Sequence, residues 1–225
     1  MYIRLDTVGF NKKPDKNEIA GINKRLSADS KDVEWPLFCN LVGNNGHSFC
    51  ISDFYGERKN SNFKSQQIFA LDFDNTAVYD DIKVRAEKYR LPIALSYETF
   101  SSKNRSSFRV VFLLDAAVTD TETSNSVTQM LMEIFYECDR KCSDHARMFF
   151  GGKEIIEQSG ETVSLETLNI EFNRFCKDKY GEKHYKEKVS RFAGKNNINT
   201  KNGFTDITDG IARESIYKTR NFSFE

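Results

Sequence analysis

The chain has 225 residues with 33 basic and 33 acidic side chains, so its formal net charge is zero and no global field draws it to nucleic acid or membrane. A chain of this length holds one sizeable domain, or one domain with an appendage, and Phe 19 and Tyr 9 against Pro 3 describe a packed, sheet-rich core. No apolar run is long enough to span a bilayer and Met1 to Asp6 lacks the apolar stretch of a signal peptide, which points to the cytoplasm. Five cysteines without framework spacing suit reduced thiols.

In chain order, Tyr2-Ile3-Arg4-Leu5 reads as an edge strand, and Asn17 to Ala28 as a surface helix with Ile19, Ile22 and Leu26 at helical spacing after the start signal Pro14-Asp15. Val33 to Val42 is an apolar run stopped by Gly43-Asn44-Asn45-Gly46, and a strand restarts over His47 to Ile51. His47 at this turn has a hydrogen-bonding role. Lys59 to Ser65 is a polar, solvated loop. Ile68-Phe69-Ala70-Leu71-Asp72-Phe73-Asp74 is a buried strand whose two carboxylates, one residue apart, share a face. Two like charges held this close call for a positive partner, and the usual one is a divalent cation.

Asp80 to Tyr89 predicts a helix ended by Pro92, Ile93 to Thr99 a second buried strand, and Phe108 to Leu114 a third, joined to the second by the basic loop 100–107 as a hairpin. Thr123 to Tyr136 carries a one-sided apolar stripe and reads as a core-facing helix. Cys138-Asp139 leads by a loop to a short strand within Ala146 to Gly152, and Leu165 to Tyr180 is another amphipathic helix. From Gly181 the chain turns Lys-, Asn- and Gly-rich, as a linker or tail does. The order outlines an α+β fold: a mixed sheet with an RNA-recognition-motif-like catalytic core and flanking helices. The catalytic domain is expected over residues 1–180, with the motif core at 40–155 and the tail at 181–225.

Two families place a D-x-D at the end of a buried strand. Asp72-Phe73-Asp74-Asn75-Thr76 matches the D-x-D-x-T of the haloacid-dehalogenase-like phosphatases, which also need a Ser or Thr ending the next strand, a Lys, and a late acidic pair on a strand. Ser96 or Thr99 and Lys153 could serve as the first two, but Asp206 and Asp209 lie in the polar tail. The chain more fully resembles the archaeo-eukaryotic primase superfamily, in particular the primase-polymerases of phages, plasmids and other mobile elements. The segments that carry the likeness are Leu71 to Asp74, Tyr97 to Ser102, Phe108 to Leu114, and Cys138 to Gly152, in the family's order.

That resemblance implies a DNA primase-polymerase joining (d)NTPs on a single-stranded DNA template, in the replication of a phage or mobile element and with a replicative helicase as partner. Asp72, Asp74 and Asp139 would be the catalytic residues, holding two Mg²⁺ or Mn²⁺ ions, and Asp144 is a rival for the third place. The family's Ser-x-His motif falls on Ser101-Ser102-Lys103, without the histidine. Nucleotide binding is therefore expected from Ser101, Ser102, Lys103, Arg109 and Arg147. Alternative readings are an enzyme that extends ends without starting them, the phosphatase, and a domain that only binds nucleic acid. Cys138, Cys142 and His145 are zinc-like ligand types, but three ligands at this spacing fit no common zinc module, and structural cysteines are expected.

Overall fold

The computed structural model describes residues 1–28, 30–187 and 189. The chain divides into two compact units, Met1–Ser164 and Leu165–Glu225. Among the described residues, no helix is long and apolar enough to cross a membrane. Most of the polar stretch from residue 181, with Asp206 and Asp209, lies outside the described residues.

The first unit is α+β, with antiparallel sheets and flanking helices. Its larger sheet runs in the order β4 (Ser52–Phe54), β5 (Phe63–Asp74), β7 (Ser107–Val118), β6 (Leu95–Thr99), β9 (Gly152–Gln158), every neighbour antiparallel. The short β10 (Thr162–Val163) adds the one parallel pairing, against β7, and makes the sheet mixed. β5 is twelve residues long and starts inside the stretch expected to be loop. Successive side chains of a strand point to opposite faces. Phe73 and Phe108 stack on one face with 4.9 Å between centroids, and Phe108 meets Tyr79 of α3 (Tyr79–Lys88) edge-on at 5.3 Å. On the same face Phe112 stacks at 5.2 Å on Phe135, the cap residue of α4 (Thr121–Ile134). The other face carries Asp72 and Arg109.

The smaller sheet has the order β2 (Lys31–Asp32), β1 (Tyr2–Leu5), β3 (Phe49–Cys50), β8 (Met148–Phe149). β1 is therefore an inner strand, paired on both sides, and not the expected edge. Its Arg4 is fully buried and donates to the Leu26 and Ser27 carbonyls that end α1 (Lys16–Arg25), and to the carbonyls of Phe54 and Gly56. A cation there satisfies carbonyls that the last helical turn leaves open. Asp15 and Glu18 close the other end of α1 as a reciprocal capping box.

The apolar run after Val33 is helical: α2 (Trp35–Cys39) starts with Pro36 in its first turn and passes into a π-helical turn over Asn40–Asn44. Proline pre-organises a first helical turn, whereas it removes a ladder donor from a strand. α3 ends before Pro92, at a left-handed Arg90 with φ 49°. β9, which the sequence pattern did not reveal, is a half-exposed edge strand with charged residues between its apolar ones. The second unit contributes the expected amphipathic helix α5 (Leu165–Tyr180), with Leu168, Phe172, Phe175 and Cys176 buried.

Candidate active site

Register builds the site. Asp72 on β5 lies opposite Arg109 on β7, and Arg109 lies opposite Tyr97 on β6, so three neighbouring strands present these side chains in one row. The Arg109 Nε and Nη2 groups donate to Asp72 Oδ1 at 3.1 and 2.8 Å, and Nη1 donates to the Tyr97 hydroxyl at 3.0 Å and to the Phe150 carbonyl. Tyr97 in turn donates to the Phe150 carbonyl at 3.1 Å. Arg109 is 5 % exposed, and a charge so buried is tolerated because each of its nitrogens is paired. Burial works against its protonation, but Asp72 and Tyr97 outweigh it and hold the guanidinium charged, above its ordinary range. Burial pushes the Tyr97 hydroxyl up to about 12, so it stays a neutral donor.

Asp139 comes from a loop locked to the same strand. Its N–H donates to the Asp72 carbonyl at 2.8 Å, and its Oδ1 accepts the Lys141 N–H at 3.0 Å, which caps a 3₁₀ turn over Arg140–Ser143. Arg147 Nη2 then bridges the two carboxylates, at 2.9 Å from Asp139 Oδ2 and 3.4 Å from Asp72 Oδ2. Partial burial opposes ionisation of Asp139, but the Lys141 N–H and the Arg147 guanidinium hold its carboxyl below the usual range. Both guanidinium groups rest on the Phe149 ring, Arg109 at 5.0 Å and Arg147 at 5.2 Å from its centroid. Arg147 Nη1 is buried with no hydrogen-bond partner.

Beside these groups lies a recess of about 220 Å³, walled among others by Lys13, Asp72, Asp74, Ser101, Arg109 and Arg147. Thr99, whose Oγ1 is 3.3 Å from Ser101 Oγ, and Phe150 also line it. Asp74 is exposed at the end of β5, on the same face as Asp72. The expected nucleotide-binding residues thus separate. Ser101, Arg109 and Arg147 are walls of the recess. Ser102 and Lys103 are not: the buried Ser102 hydroxyl accepts the Ser107 N–H at 3.2 Å and braces the turn, while Lys103 is exposed. Arg109 commits four N–H donors to Asp72, Tyr97 and Phe150 and so orients a carboxylate. Asp144 is exposed and accepts the Ala146 N–H at 3.0 Å, away from the Asp72 carboxylate that Asp139 faces across Arg147.

Sequence reasoning missed Lys13, which no motif marks, and Tyr97, which the alternation Leu95, Tyr97, Thr99 placed on a face without saying which. It also did not foresee how the loop is pinned. Arg58 Nη1 donates to the Ala146 carbonyl at 2.7 Å, Cys50 Sγ to the His145 carbonyl at 3.3 Å, and His145 Nδ1 bonds Gln66 Oε1 at 3.0 Å. Gln66 Oε1 only accepts, so His145 Nδ1 carries the proton. Burial lowers His145 below its ordinary value and keeps it neutral. Burial also pushes the Cys138 and Cys142 thiols up to about 12 and about 11.

Among the described residues, no group of three or more His, Cys, Asp or Glu side chains is assembled to hold a metal ion. Two carboxylate oxygens nonetheless point at one positive nitrogen, Arg147 Nη2, and oxygen donors of this kind suit Mg²⁺ or Mn²⁺. The donor set fits a hard divalent cation at the cost of moving Arg147.

The fold and site define an α+β domain with a recess walled by carboxylate, basic and hydroxyl side chains beside the Asp72 and Arg109 face of its larger sheet. No protein-family model matches the chain, and no curated protein matches it in sequence. Among solved structures it is similar to the AEP domain of the primase-polymerase of cyanophage S-2L, at a TM-score of 0.46 and 13% identity, over 56% of this chain and 70% of that one.

Proposed function

We propose that the chain is a metal-dependent nucleotidyltransferase, a DNA primase-polymerase that joins (d)NTPs on a single-stranded DNA template. The observation that carries the reading is the meeting of Asp72 and Asp139 around one cation, Arg147 Nη2, at the wall of a recess lined by hydroxyl and basic groups. Asp72 through Oδ2, Asp74 and Asp139 would hold Mg²⁺ or Mn²⁺. When bound, the metal lowers the pKa of the attacking 3′-hydroxyl and offsets the charge of the triphosphate.

The protein's own groups divide the rest of the work. Arg109 and Tyr97 fix the Asp72 carboxylate in one orientation, so only Oδ2 is left to face the recess. The Asp139 N–H bond to the Asp72 carbonyl keeps the second carboxylate in register with the first. Arg147, freed from the carboxylates, has two nitrogens for a phosphate, one of them unpartnered already. Ser101 adds a hydroxyl donor. The lysine that the dehalogenase-like reading offered, Lys153, is bound to Glu98 Oε2 and the Ser102 carbonyl, each at 2.9 Å, and is not a wall of the recess.

Incubation with Mn²⁺, labelled nucleotides and single-stranded DNA, with and without an annealed primer, tests the proposal. Labelled oligonucleotides are expected, and Asp72→Asn abolishes them; the unprimed lane separates a primase from an end-extender. Release of orthophosphate from a phosphomonoester, with no oligonucleotide in either lane, would overturn the reading in favour of the phosphatase.

A further inference from the structure

We propose that Lys13 is a substrate-positioning residue whose ammonium group binds the phosphates of the incoming nucleotide. The inference rests on the transferase reading above and adds to it a group that lies far outside the motif strands.

Three cations wall the recess: Lys13, Arg109 and Arg147. Arg109 is buried with each nitrogen bonded to Asp72, Tyr97 or Phe150, and Arg147 is held by Asp72 and Asp139. Lys13 has no hydrogen-bond or ion-pair partner among the described residues. Of the three it alone has no contact at all to lose when it meets an anionic ligand, since Arg147 offers only its buried Nη1 without a partner. A lysine ammonium is a compact charge with three donors, suited to a phosphate oxygen and indifferent to the base.

The segment that carries Lys13 is built into place on both sides. Upstream, the Phe10 N–H bonds the Gly46 carbonyl at 3.3 Å. Gly46 has φ +69°, and a Cβ on it would overlap the Phe10 carbonyl and the Phe100 ring. A Cβ on Gly151, itself a wall of the recess, would overlap the Gly46 backbone. Main chain thus packs on main chain from Phe10 through Gly46 to Gly151, a stack that side chains would force apart. Downstream, Pro14 is buried and Asp15 is fixed as the cap of α1. Lys13 stands between these two anchors, so little chain entropy is lost when it engages a ligand.

The experiment measures binding to the full chain in the presence of Mn²⁺, by calorimetry, for a nucleoside triphosphate and for the unphosphorylated nucleoside. Lys13→Ala should weaken the triphosphate about tenfold, the loss of one charge-assisted contact, and leave the nucleoside and Mn²⁺ alone unchanged. Lys12→Ala, the exposed neighbour outside the recess, removes the same charge and should change nothing. In kinetics the Lys13 variant should raise KM with kcat preserved. Equal triphosphate affinity in Lys13→Ala and wild type, or an equal loss in Lys12→Ala, overturns the inference while wild-type synthesis leaves the transferase reading intact. If the wild type makes no oligonucleotide yet binds triphosphate through Lys13, the transferase reading falls and the contact stands.

Discussion

In the proposed reading Arg147 occupies the place that a metal ion would take, and this makes an unusual prediction: removing a basic residue from the recess should tighten metal binding. In the metal-free protein Nη2 contacts Asp139 Oδ2 at 2.9 Å and Asp72 Oδ2 at 3.4 Å. A charge-assisted hydrogen bond contributes about 1.5–3 kcal/mol, the longer contact less, and the Asp139 side chain is 34% exposed, so solvent screens part of the gain. The latch therefore stabilises the metal-free state by about 1–2 kcal/mol, which an entering cation must overcome. Arg147→Ala lifts that competition and leaves Oδ2 of Asp72 and of Asp139 without its cationic partner. Titration calorimetry with Mn²⁺ and no nucleotide should show affinity raised by about five- to thirtyfold. The same variant should bind Mn²⁺-nucleotide less well than that gain alone implies, because a phosphate ligand is gone. Unchanged or weaker Mn²⁺ binding in a variant with wild-type melting behaviour would refute the latch.

Arg109→Ala should destabilise the fold by about 3–5 kcal/mol in urea unfolding, since it takes the buried Asp72 carboxylate's main cationic partner away; a loss under about 1 kcal/mol would count against that account. Asp139→Asn should remove synthesis while Asp144→Asn keeps most of it, as measured by primer extension, and the reverse order would reassign the third carboxylate. Asp139 also sets a pH dependence. Its folded-state carboxyl is held below the ordinary value, so its contribution is complete above the unfolded pKa of about 4 and is lost as pH falls through the folded one. Acid titration of stability should lose part of its slope in Asp139→Asn, and an unaltered acid limb would show that the Arg147 contact adds nothing. All five cysteines are buried, and burial pushes Cys39, Cys138 and Cys142 up to between about 11 and about 12, so an aromatic disulfide reagent should label native protein slowly and unfolded protein at once.

The parts legible in the sequence were those set by short-range period. Alternation put Asp72 and Asp74 on one face of a buried strand, and helical spacing located α1, α3, α4 and α5 to within a few residues. The apolar run after Val33 misled because length and hydrophobicity do not separate a buried strand from a buried helix; Pro36, acceptable in a first helical turn, was the cue. β9 was hidden because an edge strand needs to bury little, so Lys153, Glu154 and Glu157 mask its period.

What no local pattern contains is which charge meets which. Asp72, Arg109 and Tyr97 lie on three strands, and their row exists only in one register. If β7 slipped by a single residue against β5, Phe108 or Val110 would stand opposite Asp72, and Arg109 would turn to the helix-covered face among Phe73, Phe112 and Phe135. There its guanidinium would be buried without an acceptor, a penalty of several kcal/mol, and Asp72 would lose its partner on the other face. The charged row therefore does more than orient one carboxylate. It penalises every neighbouring register of the central strands, so the same pair that aims Asp72 into the recess also selects the sheet that places Asp72 there.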